Sequence, residues 1–275
     1  MAISHKKIFD IIKNTFSKPG ANLDELIISA LTFLGEPPSS QIEEAELIAQ
    51  YKENVQKEIQ KFIDDCKSRC IPPDYEFGVS RNFLINKKSS IQDASQDFAK
   101  WLSEINPIKF EFLCKKVLEF EGCENVRVTP PSADGGVDFW GTKSICVVDK
   151  YIPIIFQQID LLVIGQAKRY SNPIGIVELR HFLGSFSFIK IEGLITAPEC
   201  LPKVFQEGSY KPFSPILLIF ITSAEFNENA KEIARWLGIR LLGIKELIYL
   251  FYENKFGFRF YENIVKFDPS DFDTL

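Results

Sequence analysis

Histidine is scarce. Two imidazoles among 275 residues leave too few for a histidine-built catalytic centre, and a lone His far from any Ser or Cys nucleophile motif is more often structural. The six cysteines follow no regular framework, which excludes a disulfide-stapled secreted domain and fits free thiols in a reducing compartment. Cys66 and Cys70 suit one helix face, but no second Cys or His pair completes a zinc set. Long apolar runs are missing too. No stretch of about 18 uncharged apolar residues occurs, and the start of the sequence lacks the apolar core of a signal peptide. A soluble, cytoplasmic protein with no membrane partner is therefore expected. There is also no excess of positive charge: 32 Lys and Arg against 37 Asp and Glu give a net charge of -5. This argues mildly against a large phosphate-binding face, because clustered Lys and Arg drive such binding.

What is present is enough apolar material for a sizeable core, 45% of the residues, with 25 Phe, in one large or two modest domains. The first hundred residues read as helices. Ile8, Ile11, Ile12 and Phe16 recur at helical spacing over 6–16, and Leu26, Ile27, Ala30, Leu31 and Leu34 do so over 23–34, behind Asn22 or Asp24 as cap. A longer helix is expected from Ser39 or Ser40 to about residue 67, with Leu47, Tyr51, Val55, Ile59 and Ile63 in one stripe. That stripe fits a core face or a homodimer seam. Residues 74–90 are polar, aromatic and irregular, a linker or a small irregular subdomain. Further helices follow from about Ser90, with Phe98, Trp101 and Leu102, and over 108–121.

The most informative stretch is 126–170. Val126 to Thr129 reads as a short strand, Pro130, Pro131, Gly135 and Gly136 force a turn, and Val137-Asp138-Phe139-Trp140 resumes an extended run. Asp138 thus lies just inside a strand beside a glycine turn. On a later strand, Gln166 and Lys168 share one face because side chains alternate with period two. Pairing the two strands would bring a carboxylate, an amide oxygen and an ammonium together, a set suited to phosphodiester hydrolysis with Mg²⁺ held by hard oxygen ligands. Taken singly, each is also an ordinary turn or strand residue.

Asp134-Gly135-Gly136-Val137-Asp138, then Gln166-Ala167-Lys168-Arg169-Tyr170, with Phe110-Glu111-Phe112 upstream, resemble the catalytic domain of Mrr-like restriction endonucleases over residues 105–253. These form a branch of the PD-(D/E)xK nucleases in which Gln commonly replaces the second acidic residue. The resemblance implies an α/β, restriction-endonuclease-like core, a mixed sheet flanked by helices, behind a helical N-terminal region. It implies metal-dependent hydrolysis of DNA, with Asp138, Gln166, Lys168 and Glu111 as the catalytic set. Mg²⁺, or Mn²⁺ as substitute, would be held by Asp138, Gln166, Glu111 and the Ala167 carbonyl. It further implies 5'-phosphate and 3'-hydroxyl ends and a setting in prokaryotic restriction or phage defence. Arg169, Tyr170, Arg180 and His181 are candidate DNA contacts.

The rest of the expected core is three β-rich runs in a meander (144–148, 151–156, 161–168), a helix over 175–188, a loop over 189–215, a buried strand over 216–222, a helix to Leu237, a strand over 239–244 and a helix over 245–252. Strand, helix, strand in that order implies a parallel crossover. The expected organisation is 1–95 as a helical region that touches DNA, a protein partner or an activator, 96–267 as the nuclease domain, and 268–275 as a frayed acidic tail. The alternative function is a catalytically silent subunit that binds nucleic acid or assembles a defence complex.

Overall fold

Helices in this chain begin at side chains that cap them. Ser4, Asn22 and Ser40 precede α1 (His5–Thr15), α2 (Leu23–Phe33) and α3 (Gln41–Ser68), and each accepts a hydrogen bond from an N–H of the first turn. Such bonds satisfy donors that a helix start leaves without an intrahelical partner. The computed structural model describes residues 3–78, 80–129, 136–146, 158–195, 215–261 and 264–275. Within them the chain divides into two compact units, 1–97 with 255–268, and 98–254 with 269–275.

In the first unit the three helices bury one another's apolar stripes, Ile8 and Ile12, Leu23, Ile27 and Leu31, Val55 and Ile59. The α3 stripe that fitted either a core or a dimer seam is core here: Tyr51, Val55, Ile59 and Ile63 are all buried. The stretch expected as a linker or a small irregular subdomain supplies two short strands. β1 (Gly20–Asn22), β2 (Tyr75–Phe77) and β3 (Phe83–Asn86) form an antiparallel sheet in the order β1-β3-β2. Tyr75 donates its hydroxyl to the Lys13 carbonyl at 3.0 Å, and the Asn86 amide donates to the Phe16 carbonyl at 2.9 Å. These bonds tie the small sheet to α1 and the turn after it. The hairpin of β9 (Phe258–Tyr261) and β10 (Ile264–Phe267) also groups with this unit, although the sequence reading placed 255–267 with the nuclease segment.

The second unit is built on one sheet, ordered β4-β5-β6-β7-β8. β4 (Glu124–Val128), β5 (Phe139–Cys146) and β6 (Gln158–Lys168) are antiparallel neighbours, while β7 (Ile216–Thr222) and β8 (Ile239–Leu242) continue parallel to β6. The parallel part follows from the crossover through α7 (Glu228–Leu237). Side chains alternate between two covered faces. Leu162, Ile164, Leu218 and Phe220 pack with Leu179 and Phe182 of α6 (Ile176–Ile195) and with Ala230 and Ala234 of α7. Against the opposite face lie α5 (Pro107–Phe120), which touches β4, β5 and β6, and α8 (Ile244–Glu253). The fold is thus the expected mixed sheet flanked by helices. The run expected over 151–156 lies outside the described residues, as do Asp134, Gly135 and most of the 189–215 loop; α6 itself continues to Ile195.

Helix α4 (Lys88–Glu104) passes at Phe98 into the second unit. The acidic tail is not frayed but forms a short 3-10 turn (Pro269–Thr274). Phe272 anchors it, fully buried against Phe98, Trp101 and Phe251, and Asp273 pairs with Lys109 at 3.2 Å.

Helix α5 starts at Asn106, whose side-chain oxygen accepts from the Lys109 N–H at 2.7 Å, with Pro107 at the first helical position. Replacing Asn106 with Ala is expected to lower stability by about 1 kcal/mol, measured as a shift in the denaturant midpoint. An unchanged midpoint would show that this cap carries no stabilisation.

Candidate active site

The start of β5 is where the sheet departs from a regular ladder. Phe139 pairs with Gly165, and one residue earlier the Asp138 N–H donates to the Gly165 carbonyl at 3.0 Å while its own carbonyl accepts from Thr129 at 2.9 Å. Beyond that point the backbone turns away, and the side chain takes over: the Ala167 N–H donates to Asp138 Oδ2 at 2.7 Å. The carboxylate therefore sits in the place of a strand carbonyl, held against the backbone of the Gln-Ala-Lys segment. In a strand the N–H and C=O of one residue face the same neighbour, so the Ala167 carbonyl lies on the β5 side as well.

Gln166 is buried, and its Nε2 donates to the Gly136 carbonyl at 3.4 Å. That contact depends on a glycine. Gly136 has a φ of +86°, and a Cβ there would come within 2.7 Å of the Ser185 Cβ on α6, so both backbone shape and space require it. Lys168 ends β6, half-buried, on the face that Gln166 shares. Glu111 is half-buried on α5. It is linked to the strand residues through Cys114, one turn further along that helix. Burial, first, and then the charges of Asp138 and Glu111 push the Cys114 thiol well above its ordinary range. Both effects favour the neutral thiol.

The structure thereby brings Asp138, Gln166 and the Ala167 backbone together, with Glu111 and Asp138 both within electrostatic reach of one buried thiol. The expected DNA contacts are more scattered. The Arg169 guanidinium is committed to the Ser103 carbonyl in the last turn of α4 at 2.6 Å, a helix-end partner rather than an outward one. Tyr170 is exposed, and its N–H and C=O are both bonded to the Ser223 hydroxyl, at 3.0 and 2.9 Å. Arg180 and His181 are exposed on α6. A cavity of ≈ 440 Å³ in the first unit, lined among others by Lys13, Tyr75, Asn86 and Lys88, holds none of these residues.

The donor set fits a hard divalent cation. Carboxylates of Asp138 and Glu111, the Gln166 amide oxygen and the Ala167 carbonyl are all oxygen donors, as Mg²⁺ requires. Among the described residues no three His, Cys, Asp or Glu group as a metal cage.

Two features of the site were not visible in the sequence. Gly165 reads as a weak point in a strand, yet it is the floor for the Phe139 ring. Thr129 reads as the end of a short strand, yet it is buried directly beside Asp138.

Residues 102–196 match the family model for restriction endonucleases, that of the Mrr catalytic domain. Among solved structures, the DNA modification-dependent restriction endonuclease AspBHI is 14% identical, with 68% of this chain and 38% of that chain covered and a TM-score of 0.39. MspJI restriction endonuclease in complex with a 27-mer oligonucleotide is 14% identical over 68% and 40%, with a TM-score of 0.37. Restriction endonuclease FokI is 15% identical over 91% and 44%, with a TM-score of 0.36. The chain therefore spans less than half the length of each of these proteins. No curated protein matches it. No helix among the described residues is long and apolar enough to cross a membrane.

Proposed function

We propose that the second unit is a divalent-metal-dependent endodeoxyribonuclease, using Mg²⁺ or in its place Mn²⁺, that cuts DNA in prokaryotic restriction or phage defence. The observation that supports this reading is the Asp138 carboxylate held by the Ala167 N–H at 2.7 Å, Ala167 being the residue between Gln166 and Lys168 on β6. In this reading Asp138 and Glu111 supply the charged oxygens, and Gln166 and the Ala167 carbonyl the neutral ones. When bound, the cation lowers the pKa of the attacking water and offsets charge on the phosphate. Lys168 orients that water and stabilises the pentacovalent state with its ammonium. Asp138 keeps its orientation because the strand N–H grips one of its oxygens, so little reorganisation accompanies reaction. The first unit, which the family match does not reach, is assigned to contacts with DNA, a protein partner or an activator.

Supercoiled plasmid incubated with the full chain tests the reading. Wild type is expected to nick or linearise it with Mg²⁺ or Mn²⁺ and not with chelator, and Lys168→Ala to cut at least about 10²-fold more slowly. Cleavage by Lys168→Ala at the wild-type rate would remove that residue from the chemistry. Binding of DNA with no cleavage under any metal would favour the silent binding or assembly subunit.

A further inference from the structure

Thr129 is 5% exposed, and its hydroxyl makes no hydrogen bond among the described residues. Folded proteins pair nearly all their buried polar groups, and those left over call for an explanation. Location supplies one. Val128 faces Phe139 in the β4–β5 register, and the Thr129 N–H extends it by one residue through its bond to the Asp138 carbonyl at 2.9 Å. Thr129 is thus tied through its own backbone to the residue that carries the site's carboxylate. A hydroxyl can both accept and donate, whereas Asp138 already uses one oxygen on the Ala167 N–H.

Resting on the nuclease reading above, we propose that Thr129 is a positioning residue of the Asp138 centre: its hydroxyl accepts a hydrogen bond from a water carried by the divalent cation and so holds that water beside the carboxylate. Mg²⁺ and Mn²⁺ suit such a contact, because Mg²⁺ retains several waters when protein-bound and partners outside the ligand shell orient what the metal carries. A different account makes Thr129 an ordinary β-branched strand residue. The two accounts part at one substitution. Thr129→Val keeps the shape and removes an oxygen that the strand itself does not use, so an ordinary strand residue would lose nothing by it.

The test is calorimetric titration of the full chain with Mn²⁺, without DNA, on wild type, Thr129→Val, Thr129→Ser and Asp138→Asn, with thermal unfolding of each metal-free protein alongside. Thr129→Val is expected to unfold at or above the wild-type temperature and to bind Mn²⁺ about 10-fold more weakly. Thr129→Ser, which restores the hydroxyl, is expected to bind within about threefold of wild type. Asp138→Asn is expected to lose the site. If Thr129→Val binds as wild type does while Asp138→Asn does not, or if Ser is as weak as Val, the Thr129 proposal is overturned and the nuclease centre stands. If wild type binds no Mn²⁺, or Asp138→Asn binds it equally well, the centre itself is wrong and the proposal goes with it.

Discussion

Asp138→Asn is expected to leave the chain folded and to slow plasmid cleavage by about 10³-fold or more, equivalent to roughly 4 kcal/mol of lost transition-state stabilisation. The expectation comes from separating two roles of one side chain. Structurally, Asp138 is an acceptor for the Ala167 N–H at 2.7 Å. An asparagine side-chain carbonyl can take over that bond, so the start of β5 should keep its place against β6. Chemically, Asp138 is the strongest charged ligand proposed for the cation, and asparagine supplies no charge. Asp138→Ala removes both roles, leaving an N–H in the sheet without its acceptor, which costs about 1–3 kcal/mol. The pair should therefore differ in stability and agree in activity, read by denaturant titration and by plasmid cleavage with Mg²⁺. An Asn variant that cuts like wild type would take Asp138 out of the chemistry, however well the fold survives.

The elements that can be read from sequence are those whose stabilising contacts repeat locally. The 3.6-residue stripes of α1, α2 and α3 and the caps at Asn22 and Ser40 are written within a few residues of the structure they form. The unbroken apolar run of β7 is equally local and calls for a strand covered on both faces. What could not be read depends on partners far along the chain. β1 and β3 hold three and four residues and exist because Gly20 meets Ile85 across the whole helical hairpin, so 74–90 looks like a linker until its partner is known. The tail looks disordered by its charge and is ordered by partners far along the chain, Phe98, Trp101 and Phe251 for Phe272 and Lys109 for Asp273. At the site, the alternation of Gln166 and Lys168 follows from strand period, but the bond that seats Asp138 arises where β5 leaves its ladder, and no local pattern marks that point. Arg169 shows the same limit in reverse. Its charge suggests DNA, while the end of α4, sixty-odd residues earlier, claims its guanidinium.

Gly165→Ala is expected to be among the most disruptive single substitutions in the second unit, lowering stability by about 3 kcal/mol or more as overpacking of a closed core. A Cβ at this position would lie 2.0 Å from two carbons of the Phe139 ring. Phe139 is fully buried, so the ring has no solvent to move into. The glycine sits directly opposite Phe139 in the β5–β6 register, an arrangement in which an aromatic covers a strand glycine. Relief would come from moving β6 away from β5, and that movement would stretch the two contacts that assemble the site, Ala167 N–H to Asp138 and Gln166 to Gly136. Loss of stability and loss of cleavage should consequently appear together. A double-mutant cycle isolates the cause. Phe139→Ala alone should cost about 3–5 kcal/mol through the cavity it leaves, yet combined with Gly165→Ala it should cost less than the sum, because the new methyl then has room. Strict additivity of the two, or a Gly165→Ala variant within about 1 kcal/mol of wild type, would mean that Phe139 does not rest on Gly165.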